Sequence, residues 1–167
     1  GDPEYNMFAG KGDHTFALRT TPGTLDFFVY AGNAWRTLFY KMPEDMAASW
    51  KGKKHQIAAI YDGAKNTLSL YADGKILGQA SAVADGGVNG SQYNFTIGAC
   101  PDTGRTSQAE FSEVRLYNRA LTADELISQN SSSPKYDPQN ESVELWIDFD
   151  TISSDNTQEQ QDIIQGD

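Results

Sequence analysis

The pattern of apolar and polar positions is strand-like along most of the chain. It is clearest between His55 and Gln79, where two strand-like runs, His55–Tyr61 and Thr67–Ala72, flank the turn Asp62-Gly63-Ala64-Lys65-Asn66. In the second run Leu68, Leu70 and Ala72 share one face, with Ser69 and Tyr71 on the other. The turn Asp73-Gly74-Lys75 then opens a short strand through Ile76 and Leu77. Asp-Gly between alternating hydrophobics predicts a hairpin, because glycine accepts the positive φ of the primed turns. These residues therefore predict an antiparallel meander.

Upstream, Met7–Gly12 and Thr15–Thr20 read as strands around Lys11-Gly12-Asp13, and Pro22-Gly23 marks a turn. Leu25–Tyr30 alternates, with Leu25, Phe27 and Val29 on one face and Asp26, Phe28 and Tyr30 on the other. After Ala31-Gly32-Asn33, Ala34–Tyr40 returns as its partner. Lys41–Ser49 reads as a loop with one helical turn before Trp50. Downstream, Gln92–Ala99 and Ala109–Tyr117 are predicted strands. Thr122-Ala123-Asp124-Glu125 has the spacing of a capping box and predicts a short helix through Gln129. Ser131–Pro134 starts a linker, and Ser142–Asp150 is a late strand with Val143, Leu145, Ile147 and Phe149 on one face.

Two blocks carry a resemblance. Trp50, His55, Tyr61-Asp62-Gly63, Leu68, Leu70-Tyr71 and Asp73-Gly74-Lys75 form the first. Phe95–Ala99 followed by Phe111–Thr122 forms the second. Together they resemble the laminin-G-like, concanavalin A-like jelly-roll superfamily, over roughly Phe8 to Ile127, and Lys11-Gly12-Asp13 extends the likeness upstream. The resemblance implies an all-β, two-sheet antiparallel sandwich with one short helix near Thr122–Gln129. It also implies that the family's usual first strand is missing before Met7. The late strand is expected to fill that vacancy, giving a single domain over residues 1–150 and a polar tail over 151–167. The alternative is that Ser142–Asp150 opens a following domain.

Length, charge and composition narrow the function. One domain with a sizeable core fits 167 residues. A net charge of −10 argues against nucleic acid and anionic membrane surfaces as partners. No apolar run approaches the ~20 residues of a membrane span. The sequence starts on Gly1 without a leader pattern and is expected to be part of a longer polypeptide. Cys100 is the lone cysteine, so no internal disulfide can form, and a small buried thiol is the expectation. The missing bridge leans towards a bacterial, extracytoplasmic source. Asn-x-Ser/Thr sequons begin at Asn89, Asn94, Asn130 and Asn140, which in a bacterial protein carry little meaning.

The hairpin Leu25–Tyr40 is aromatic on both faces, whereas a sandwich strand needs one apolar face. Tyr30, Trp35, Arg36 and Tyr40 are therefore candidates for a sugar-stacking platform, with Arg36 donating to hydroxyls. The bland alternative is that they cover the sandwich edge or meet a neighbouring domain. By the jelly-roll resemblance, loop residues Asn89, Asn94, Asp102 and Arg105 join the candidate list, although each alone reads as a solvated loop position. Trp50 and His55 match positions that are structural in the family, and His14 reads as a loop residue.

Catalysis is not expected. Laminarinase-type members of the superfamily use a Glu-x-Asp run to place two carboxyls about 5 Å apart on one strand face, and no Glu-x-Asp occurs in this chain. Glu110/Glu113 and Glu141/Glu144 are three apart, which puts each pair on opposite faces of a regular strand. A structural calcium held by Asp148, Asp150 and Asp155 is the one cofactor to consider, since hard oxygen ligands suit it. A solubilising acidic strand end explains the same residues. The expected function is a noncatalytic, carbohydrate-binding accessory module of a secreted bacterial glycoside hydrolase, with a β-galactosidase-like parent. Its partners would be a glycan and neighbouring domains of the same polypeptide. The alternative is a structural or protein-adhesion module without a sugar site.

Overall fold

The computed structural model describes residues 6–12, 15–84, 87–100, 104–131 and 139–149. The chain divides into two compact units. The first comprises residues 1–109 and 119–134, the second residues 110–118 and 135–167.

In the first unit, β1 (Asn6–Gly10), β2 (Phe16–Thr21), β3 (Thr24–Ala31) and β4 (Ala34–Lys41) form an antiparallel run. A short α1 (Glu44–Trp50) leads to the meander β5 (Ile57–Asp62), β6 (Thr67–Ala72) and β7 (Lys75–Ser81). Three two-residue strands follow, β8 (Thr96–Ile97), β9 (Ala99–Cys100) and β10 (Arg105–Thr106). One sheet has the order β4-β3-β2-β1-β8, with β4 on its edge, and a second has the order β5-β6-β7.

The turns behave as their residues dictate. At Gly32-Asn33 both φ values are +57°, and at Asp73-Gly74 they are +50° and +74°, the primed geometry that matches strand twist. Because Gly32-Asn33 is a two-residue loop, it fixes the register of β3 on β4 with Ala31 opposite Ala34.

The two sheets pack through one cluster built from Leu25, Phe27, Val29 and Ala31 of β3, Leu38 of β4 and Leu68 and Leu70 of β6. Tyr40, Phe16, Leu18, Ala59 and Tyr61 pack against it. The predicted in-facing residues of β3 and β6 are thus the core. At the start of β5, His55 Nδ1 lies 2.8 Å from Asp73 Oδ2 while its ring stacks on Trp50 at 4.6 Å. Gln56 N donates to the other Asp73 oxygen, so the pair ties the Asp73-Gly74 turn to β5, a structural role.

One predicted strand is corrected. Gln92–Ala99 is broken rather than continuous, because Gly98 takes φ +72° and donates its N–H to Phe8 O. Thr96 Oγ1 turns back on Ala99 O, leaving only the short strands β8 and β9 on either side of Gly98. Cys100 is a buried free cysteine, as expected.

The helix α2 (Ala123–Ser131) belongs to this unit and starts on the predicted capping box. Glu125 N donates to Thr122 Oγ1, and Thr122 N donates back to Glu125 Oε2 at 2.7 Å. Arg119 adds two bonds to the same carboxylate, at 2.6 and 3.0 Å.

In the second unit, β11 (Glu113–Tyr117) pairs antiparallel with β12 (Val143–Asp148). Val114 and Leu116 lie opposite Ile147 and Leu145, while Glu113 and Arg115 lie opposite Asp148 and Trp146. The late strand therefore has its partner in Glu113–Tyr117. Among the described residues no helix is long and apolar enough to cross a membrane.

Candidate functional site

The outward face of β3 and β4 carries the aromatic surface. The register sets Tyr30 opposite Trp35, Phe28 opposite Thr37, and Asp26 opposite Phe39. Directly opposite residues share a sheet face, so these six side chains stand together. Trp35 and Phe39 are 41% and 58% exposed, an unusual state for rings of that size. Neither ring is loose. Phe28 stands between them and meets both edge-on, at 5.3 Å to Phe39 and 6.3 Å to Trp35, each with an interplanar angle of 84°. Tyr30 meets Trp35 at 5.2 Å and 71°. Edge-to-face packing is the arrangement that the ring quadrupole favours.

Charge fixes the middle of this surface. The Arg19 guanidinium of β2 lies 4.6 Å from the Phe28 ring centre and its Nε donates to Asp26 Oδ2 at 3.3 Å. Asp26 is 1% exposed, and its other oxygen accepts from Thr24 Oγ1 at 2.6 Å. A buried carboxylate needs such partners, since an unpaired charge away from water is costly. Asp26 thus holds Arg19, Arg19 covers Phe28, and Phe28 spaces the two exposed rings.

The structure brings only part of the expected platform together. Tyr30 and Trp35 share the outward face, but Arg36 and Tyr40 lie opposite Val29 and Leu25, on the core side of the same strands. Tyr40 packs against the core, and its hydroxyl reaches Met46 Sδ at 3.8 Å. Arg36 Nε is buried with no hydrogen-bond partner among the described residues. The expectation of four residues on one face is corrected by simple alternation, since 35 and 36 cannot point the same way in a regular strand. In their place come Phe28, Thr37 and Phe39.

Of the loop candidates, Asn89 comes nearest. Its N–H donates to Tyr30 O at 2.9 Å, and its Nδ2 is 3.4 Å from Asn33 Oδ1. Asn94 is exposed just before β8, and Arg105 pairs with Cys100 in the β9–β10 hairpin. In its sheet β8 is the edge opposite β4, four strand spacings or about 19 Å away. Asn94 therefore does not join the aromatic face, and Arg105 belongs to the separate β9–β10 pair. Asp102 lies outside the described residues, as do Asp150 and Asp155 of the expected calcium set. Asp148 is at the end of β12 opposite Glu113, and no group of three potential metal ligands occurs among the described residues.

Arg119 and the Thr122 N–H draw the Glu125 carboxyl down to about 2, and the Lys65 N–H lowers that of Asp62.

An antiparallel sandwich with exposed aromatics on one face and a capped helix after its main strands is the build of a lectin-like jelly roll. Residues 2–127 match the laminin-G-type family described as the concanavalin A-like lectin/glucanases superfamily, and the chain belongs to that family. Two sialidases of Trypanosoma cruzi are similar in sequence. Sialidase 85-1.1 is 30% identical over 110 residues, 58% of this chain and 14% of the relative. Sialidase 85-1.3 is 32% identical over 101 residues, 58% of this chain and 57% of the relative. The chain thus spans less than two thirds of either. Among solved structures, a candidate carbohydrate-binding protein of Bacteroides ovatus superposes with a TM-score of 0.67 at 19% identity, covering 89% of this chain and 42% of that one. The CBM40 of the Ruminococcus gnavus IT-sialidase, bound to α2,3 sialyllactose, gives 0.58 at 18% identity, covering 78% and 76%. At these identities the likeness is one of fold.

Proposed function

We propose that the chain is a noncatalytic carbohydrate-binding module of a larger glycoside-hydrolase-type polypeptide, with the outward face of β3 and β4 as its glycan surface. The observation that carries this reading is the pair of exposed rings, Trp35 and Phe39, braced edge-on by Phe28. Sugar rings present apolar C–H faces that lie on aromatic rings, while their hydroxyls need nearby donors and acceptors. Thr37 between the two rings supplies such a hydroxyl.

Family membership supports the reading, as do relatives named sialidases and a solved neighbour that holds sialyllactose. These relatives favour a sialidase-type parent over a β-galactosidase-like one, and the module would hold that enzyme at glycan outside the cytoplasm. The noncatalytic part rests on carboxylate chemistry. Glu113 and Asp148 are cross-strand neighbours, but Glu113 Oε1 accepts from Arg115 Nε, the arrangement of a structural ion pair. A structural calcium at Asp148, Asp150 and Asp155 is part of the proposal, and equal melting temperatures in EDTA and in excess calcium would remove it.

The test is a glycan array with the wild-type chain and Trp35→Ala. Binding that the substitution weakens or abolishes supports the reading. A second reading, a protein-adhesion module, draws on the same exposed apolar rings, which also mark protein interfaces. A silent array together with a tight protein partner would favour it.

A further inference from the structure

The aromatic residues of β4 are arranged as a line rather than a cup. Trp35, Thr37, Phe39 and Lys41 alternate along the outward face of the strand, with Ala34, Arg36, Leu38 and Tyr40 turned the other way. At a rise of about 3.3 Å per residue, the backbone positions of Trp35 and Phe39 stand about 13 Å apart along the strand, and Lys41 lies about 7 Å beyond Phe39. That span is longer than one pyranose ring. Phe28 fills the space between the two rings, 6.3 Å from the Trp35 centre and 5.3 Å from the Phe39 centre, and so keeps them from closing on a single sugar. As β4 is the edge strand of its sheet, no further strand among the described residues borders this line on its outer side.

Resting on the carbohydrate-binding reading, we infer that this face takes an extended glycan chain laid along β4 and engages it at two separate ring subsites, one on Trp35 and one on Phe39. The ligand class is therefore an internal stretch of oligosaccharide rather than one terminal sugar. Each ring stacks on a different sugar residue, and Thr37 meets a hydroxyl of the segment between them. A short ligand reaches one ring at a time, whereas a longer one reaches both and gains from the second contact without the full cost of a second association event.

The experiment titrates the wild-type chain, Trp35→Ala and Phe39→Ala calorimetrically with lactose, α2,3-sialyllactose and a longer sialylated lactosamine oligomer. Both positions are exposed, and thermal melts verify that each variant folds. Affinity is expected to rise with length, with the long oligomer roughly tenfold tighter than the shortest ligand that binds, the worth of one aromatic contact. Either substitution alone should bring the oligomer back to short-ligand affinity, and at most one of them should affect the shortest ligand. Binding that ignores length, or two variants that weaken every ligand equally, would overturn the two-subsite inference while leaving the carbohydrate-binding reading intact. No binding of any of the three by the wild-type chain, with a silent array, would overturn both.

Discussion

Asp26 is the buried anchor of the aromatic face, and replacing it tests the chain of contacts above it. The carboxylate is 1% exposed and takes two bonds, from Arg19 Nε at 3.3 Å and Thr24 Oγ1 at 2.6 Å. Asp26→Ala removes both. The short bond from Thr24 is a charge-assisted one of the kind worth about 1.5–3 kcal/mol, and the long one from Arg19 contributes less. Arg19 would also lose this carboxylate as a partner, and losing one member of an ion pair costs up to about 3–5 kcal/mol when the pair is fully buried. The Arg19 side chain is 19% exposed, however, so water recovers part of that. The expected net loss is about 3 kcal/mol, or a melting temperature lower by about 6–12 °C for a chain of this size. Asp26→Asn keeps an acceptor for Thr24 and should cost about half as much. Arg19→Met in the Asp26→Ala background removes the other member of the pair and should recover part of the loss, a non-additivity that a double-mutant cycle measures. Urea denaturation of wild type, Asp26→Ala, Asp26→Asn, Arg19→Met and the double variant is the assay. An Asp26→Ala variant within about 0.5 kcal/mol of wild type, the range of an ordinary surface substitution, would refute the argument.

Other consequences are as concrete. Leu70 is fully buried in the cluster between the sheets, so Leu70→Ala should destabilise by about 2–5 kcal/mol, and a smaller loss in urea denaturation would mean that the site collapses around the gap. The Glu125 carboxyl titrates at about 2 in the folded chain against 4.5 ordinarily, so its stabilisation is fully present above pH 4.5 and is lost as pH falls towards 2. Since that side chain is over a third exposed, Glu125→Gln should cost only about 1 kcal/mol at pH 7, and the difference between variant and wild type should shrink steeply as pH falls towards 2. Gly74 has φ +74°, and a Cβ there would sit 2.9 Å from Ile127 Cγ1, so Gly74→Ala should lower the melting temperature, by an amount reflecting about 1–3 kcal/mol of backbone strain.

Much of the fold was legible because its strands alternate and its turns carry their own signature. Leu68, Leu70 and Ala72 point where period-two patterning puts them, and Asp73-Gly74 makes the primed turn that its residues favour. The capping box at Thr122 and Glu125 was legible for the same reason, since the chemistry is local. Gln92–Ala99 misled because its apolar alternation ignores Gly98, whose positive φ ends the pairing.

The site was half legible. Counting back from the two-residue turn at Gly32-Asn33 sets Trp35 opposite Tyr30 and Phe39 opposite Asp26 from the sequence alone. Grouping aromatic and basic residues by type rather than by parity mixed Arg36 and Tyr40 from the core face with Trp35 from the outer one. Arg19 was out of reach for another reason. Its place over Phe28 depends on the pairing of β2 with β3 and on the buried charge of Asp26, neither of which local patterning reveals.

The measurement that bears most directly on the glycan surface is a chemical-shift map of the isotope-labelled chain during titration with α2,3-sialyllactose or the longer sialylated oligomer. The account predicts saturable shifts concentrated on the Trp35 indole N–H and on the amides of Tyr30, Thr37 and Phe39, with the core-facing Leu38 and Tyr40 moving less. Saturable shifts confined to the β9–β10 hairpin or to the β11–β12 pair, with the indole of Trp35 unmoved, would contradict it.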